Sequence, residues 1–215
     1  MSGGRSKNLK REKEMSTYRS YAIIASIGVL GATSAAQAAI VVVSTNLAIP
    51  TTRTGLYMNI STGAISTSAA SAPGWDINIG GTTSLNFLSP GGYNFVRMNA
   101  APVTGGPSDL AWKFVISNSM PTASWITGGA ATGLALNSSD NYIGFRFVGD
   151  DKATHFGWMQ LAIGASATGI DRRIVSYAYN TESSTSPGGM TMVVPGPGAL
   201  ALLCQAGFMA KRRRR

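Results

Sequence analysis

Along residues 39–190 the apolar positions fall in short β-branched and aromatic runs, and no window sustains the apolar period of a helix. Gly, Pro, Asn, Asp and Ser bound each run, as expected of an all-β sandwich or barrel. Ile40 to Val43, Gly55 to Ile60, Ser84 to Leu88, Tyr93 to Met98 and Leu110 to Ile116 read as the first strands. The clearest unit is a hairpin. Tyr142-Ile-Gly-Phe-Arg-Phe-Val alternates, placing Ile143, Phe145 and Phe147 on one face and Gly144 and Arg146 on the other. Gly149-Asp150-Asp151-Lys152 supplies turn chemistry. The return strand from Thr154 puts Phe156 and Trp158 on one face and His155, Met159 and Leu161 on the other. A further strand, Ile170 to Tyr179, aligns Val175, Tyr177 and Tyr179. The expected fold is all-β: a single antiparallel β-sandwich, jelly-roll-like, flanked by an N-terminal signal helix and a short C-terminal transmembrane helix.

The two ends break this pattern. Near the N-terminus a charged stretch leads into Tyr21-Ala-Ile-Ile-Ala-Ser-Ile-Gly-Val-Leu-Gly-Ala and then the small-residue site Ala36-Gln37-Ala38. A positive n-region, an apolar h-region and that site make a secretory signal peptide over residues 1–38, with cleavage after Ala38 and Met15 as a candidate true start. The exported domain then covers 39–180, and 181–192 is a Ser/Thr/Pro/Gly stalk. Residues 193–215 form a sorting or anchor segment: Pro195, Gly196 and Pro197, a short apolar run, and five cations.

Charge sharpens this division. The formal net charge is +9, which invites a nucleic-acid reading. Residues 1–38 carry six cations against two anions, and 211–215 carry five cations. Between them seven cations meet seven anions. A phosphate-binding domain needs its Lys and Arg on the folded surface, so the excess belongs to targeting and no nucleic-acid partner is expected. The only cysteine, Cys204, lies in the tail, so the domain has no disulfide and depends on a packed core.

The tail resembles the PEP-CTERM sorting signal of Gram-negative bacteria. The likeness rests on Pro195-Gly196-Pro197, the apolar run, and Lys211, Arg212, Arg213, Arg214 and Arg215. Gly55-Leu-Tyr-Met-Asn, Pro73-Gly-Trp-Asp-Ile-Asn, Tyr142-Ile-Gly-Phe-Arg-Phe and His155-Phe-Gly-Trp are similar to exported domains that precede such tails. The resemblance implies recognition by an exosortase, a membrane peptidase, and association with extracellular polysaccharide. It implies an exported cell-envelope or extracellular-matrix protein. The secretion translocon and signal peptidase would be its earlier partners. Gly196 stands where that family has glutamate, while both prolines keep the segment extended.

The membrane span is Gly198, Ala199, Leu200, Ala201, Leu202, Leu203, Cys204, Gln205, Ala206, Gly207, Phe208, Met209 and Ala210. As a helix it is roughly 20 Å long against a hydrocarbon core of about 30 Å. Met190, Met192, Val193 and Val194 could extend it, and the cationic block would stay cytoplasmic.

Candidate chemistry in the domain is sparse. His155 is the only histidine, so a triad would pair it with Asp150 or Asp151, but there is no Gly-x-Ser-x-Gly elbow. Asp140 with Asp150 or Asp151 could gather at one end of the sandwich and bind calcium; ordinary turn aspartates are the simpler reading. Trp75, Trp112 and Trp125 could stack on sugar rings, but core packing is the default reading for each. The expectation is therefore a protein with no catalytic, cofactor or metal residues, and a carbohydrate-binding module or a hydrolase as the alternatives.

Overall fold

The computed structural model describes residues 40–91, 94–97, 106–181 and 191–195. The cleavage site Ala36 to Ala38, the stalk residues 182–190 and everything from Gly196 to Arg215 lie outside the described residues, as does Met190.

The described chain is all-β, and every strand pairing is antiparallel. Numbered in chain order, the six-stranded sheet runs β1 (Ile40–Ala48), β12 (Arg172–Asn180), β11 (Thr154–Ile163), β10 (Ser138–Val148), β6 (Phe95–Val96) and β8 (Trp125–Ile126). The five-stranded sheet runs β3 (Ile65–Ser66), β2 (Leu56–Met58), β4 (Ile77–Gly80), β5 (Asn86–Leu88) and β9 (Gly128–Ala130). A third sheet pairs β13 (Thr191–Val193) with β7 (Val115–Ser117). Among the described residues no helix is long and apolar enough to cross a membrane.

The six-stranded sheet is the middle layer. Ile143, Phe145, Phe147, Met159 and Leu161 from its one face pack with Leu56, Met58, Ile77, Ile79 and Phe87 of the five-stranded sheet. Its other face carries Tyr142, Phe156, Trp158 and Ala178, covered by Leu110, Ile116, Met192 and Val194. Burial on both faces explains why β10 and β11 are so rich in large apolar residues. Gly144 belongs to the second face because a Cβ there would meet Leu110, Val96 and Ile116 within 3.0 Å.

The hairpin has the faces its alternation predicts. Its turn differs in one detail: Lys152, with φ 64°, takes the left-handed conformation, while Gly149 and the two aspartates do not. The Asp151 carboxylate accepts the Ala153 N–H at 3.0 Å and fixes the reversal. On β12, Tyr177 faces the main core together with Ile174, because the register slips between them. That bulge takes Val175 out of simple alternation, and β12 begins at Arg172, leaving Ile170 exposed.

Two expectations are revised. Leu110 to Ile116 is a strand only from Val115, since Lys113 has φ 65° and Phe114 N–H bonds back to Ala111 O. The C-terminal boundary also shifts. Thr191–Val193, expected to end the stalk and begin the sorting segment, is strand β13. Met192 and Val194 are buried in the second core, and Val194 exchanges backbone bonds with Lys113 and Phe114. Alternate residues of a strand reach one face, which places Met192 and Val194 together and Val193 outside. These residues close the sandwich and are not part of a helix.

Met192→Ala should therefore lower stability by about 2–5 kcal/mol, and Trp158→Ala by about 3–5 kcal/mol, in urea denaturation. A Met192→Ala protein that unfolds with wild type would return this segment to a stalk.

Candidate functional site

Opposed residues of paired strands share a face, so the register defines the outer surface of the five-stranded sheet. Leu56, Ile79 and Phe87 are partners in one row and turn into the core. Tyr57, Asn78 and Leu88 are partners in the next row and face away from the core, as do Gly80 and Asn86, with Asn78 and Gly80 buried under the neighbouring loop. The alternation Asp76-Ile-Asn-Ile-Gly80 encodes this division.

The outward residues form an open depression of about 290 Å³. Asn78, Asn86 and Leu88 line it from the strands, and Arg53, Thr82 and Thr83 from the adjoining loops. Its floor is backbone. A Cβ on Gly80 would lie 2.4 Å from Gly55 Cα, so only glycine allows loop and strand to approach this closely. The loop is held from beneath: Asn78 Nδ2 donates to Thr54 O at 2.7 Å, and Gly81 N–H donates to Thr52 O at 2.9 Å. Ser84 Oγ donates to Asn86 Oδ1 at 3.2 Å, which orients that amide. Leu88 stays half exposed at the rim.

One strand over, Tyr57 meets Trp75 edge-to-face, with ring centroids 5.1 Å apart. Both rings are partly exposed. Trp75 thus departs from the core-packing default and keeps part of its ring at the surface. Trp112 is exposed too, beneath the Lys113 ammonium at 4.2 Å. Trp125 follows the core-packing default: it is buried in the second core, with the Arg146 guanidinium 4.5 Å from its ring. The neighbouring Tyr57, Arg53, Asn78 and Asn86 were not anticipated, although the alternation around Asn78 carried the signal.

Behind the depression lies a buried cation. Arg172 is wholly enclosed and donates to Ile49 O at 3.3 Å, Ala167 O at 3.0 Å, Gly81 O at 2.6 Å and Pro50 O. No carboxylate among the described residues pairs with it. A second cleft, about 150 Å³, opens between β1 and the β2–β3 hairpin, but Val41, Val43, Ile60 and Ile65 make it mainly apolar.

The His155 end offers a different geometry from a triad. His155 is buried and stacks on Phe147 at 5.4 Å. Its Nε2 is 3.0 Å from Asp151 Oδ1, and its Nδ1 is 3.0 Å from Asn180 O. Both ring nitrogens face acceptors, so neither is placed to take a proton from a hydroxyl. The bond from His155 holds the Asp151 carboxyl below its ordinary range. The pair clips the hairpin turn to the end of β12.

The aspartates do not gather as a calcium site would require. Asp140 and Asp150 sit at opposite ends of β10, about 30 Å apart at the rise of an extended strand. Among the described residues no group of three His, Cys, Asp or Glu side chains could hold a metal ion. Asp109 accepts the Tyr142 N–H at 2.6 Å, and burial raises its carboxyl. Asp76 accepts the Ile60 N–H at 2.8 Å, yet burial, with a smaller contribution from the charge of Asp150, pushes it up to about 6.

Comparison with protein-family models, with curated proteins and with solved structures finds no match.

The Asp76 shift has a definite sign. Its protonated form is favoured on folding, so its contribution to stability is full below its ordinary pKa of 3.8 and is lost as pH rises through about 6. Asp76→Asn should remove that component. The difference between melting temperatures at pH 4.5 and pH 7 should move toward greater relative stability at pH 7. An unchanged difference in thermal melts would show that Asp76 does not titrate in this window.

Proposed function

We propose that this chain is an exported, non-catalytic β-sandwich protein that binds carbohydrate on the outer face of its five-stranded sheet. The observation that carries the reading is the outer face carrying Tyr57, Asn86 and Leu88, with Trp75 beside Tyr57 and the depression lined by Asn86 and Leu88. Sugars present alternating apolar faces and hydroxyl edges. Partly exposed aromatic rings suit the faces, and fixed amides and hydroxyls suit the edges.

Delivery is the second part of the proposal. The signal segment ending at Ala38 and the tail from Pro195 to Arg215 hold the chain's excess charge beside apolar runs. That arrangement supports passage through the translocon, cleavage by signal peptidase, and sorting or anchoring at the cell envelope by an exosortase-type peptidase. Extracellular polysaccharide would then be the ligand at hand. The alternative of a hydrolase draws less support, because both nitrogens of His155 are already engaged.

Trp75→Ala should weaken binding to immobilised glycans at least about tenfold while leaving the melting temperature nearly unchanged. A glycan panel without binding, or a Trp75→Ala protein that binds like wild type, would end the carbohydrate reading. For delivery, intact-mass analysis of membrane and medium should find a released form ending near Val194 or Pro195. Only full-length, membrane-held protein would refute processing.

A further inference from the structure

We propose that the depression on the five-stranded sheet selects an acidic saccharide, one carrying a carboxylate or sulfate group, over its neutral counterpart. This rests on the carbohydrate reading above and adds the ligand's charge.

Three observations point the same way. Arg53 lines the depression, and no ion pair joins it to a described carboxylate. Arg172 lies directly behind the floor, with Nη2 bonded to Gly81 O, and Gly81 is itself a floor residue. The Arg172 guanidinium is answered only by carbonyls, and its charge acts on the floor through protein more than through water. The remaining accessible polar lining, Thr82, Thr83 and Asn86, is neutral and able to donate hydrogen bonds, and among the described residues no acid lines the site.

The described acids lie elsewhere. Asp76 bonds the Ile60 backbone, Asp109 bonds Tyr142, and Asp151 bonds His155. Asp140 and Asp150 flank the two ends of β10, and Asp171 packs against Gly164. A guanidinium at the rim and hydroxyls beside it match an anionic substituent on a sugar ring. The Asn86 amide and the nearby Tyr57 and Trp75 rings serve the rest of the saccharide.

The test compares polymers that differ only in charge. Full-length protein is titrated with polygalacturonate against its methyl ester, and with dextran sulfate against dextran, in low and physiological salt. The first pair reports carboxylate and the second sulfate. Wild type should bind at least one acidic polymer about tenfold more tightly than its neutral partner at low salt, with the margin shrinking as salt rises. Arg53→Gln should lose most of that margin while still binding the neutral polymer, and Arg53→Lys should retain part of it. The cationic termini are identical in all three proteins, so their attraction to polyanions cancels in the comparison. An acidic preference that Arg53→Gln leaves intact would overturn the proposal. Equal affinity for acidic and neutral polymers would overturn it while leaving the carbohydrate reading standing. Absence of binding to all four would overturn both.

Discussion

Arg172 begins β12 and turns its guanidinium inward, where Ile49, Pro50, Gly81 and Ala167 each offer a carbonyl. Desolvating such an ion costs several kcal/mol, which only charge-assisted hydrogen bonds in good geometry can offset. The four acceptors come from the exit of β1, the turn after β4 and the loop before β12. Both large sheets therefore converge on one cation, and their relative position at this end follows from its reach. Aliphatic packing along the rest of the interface tolerates small slides; a planar donor with fixed directions does not. The same contacts seat the Gly80–Gly81 floor against the loop at Thr52, so the candidate binding face inherits its shape from the buried charge.

Much of the main core was legible because its strands obey a simple rule. Ile143, Phe145 and Phe147 alternate with smaller or polar residues, and a period of two has one reading. The second core was legible only in part. The aromatic return strand pointed to a buried Trp158, as found, but not to its cover, which comes to Tyr142, Phe156 and Trp158 from Leu110, Ile116, Met192 and Val194. Those four lie in segments without sustained alternation, and β13 follows a polar stretch that resembles a linker. Strands as short as β3, β6 and β8 leave no periodic trace at all.

The candidate site was legible to a lesser degree. Trp75 could be named because a tryptophan between turn residues is conspicuous. Arg53, Asn86 and Thr83 could not, because nothing local says that a loop and two strands will meet. Arg172 stands beside Asp171 and Arg173, where a run of charges reads as a solvated turn. Only the tertiary fold separates the enclosed arginine from its exposed neighbour. The pairing of His155 with Asp151 was readable from spacing across the turn, but its purpose was not. The bond to Asn180 O makes it a clasp between β11 and β12.

Val194 is bonded within the sheet, and Pro195 is the next residue along the chain. Whatever pulls on Pro195 therefore pulls almost directly on β13, with no slack between load and fold. Three residue pairs hold β13 to β7, and Met192 and Val194 plug into the core behind them. Tension would load this short ribbon first. Under a load at Pro195 the ribbon would act as a fuse: it would yield before the long β10, β11 and β12 strands carry any strain.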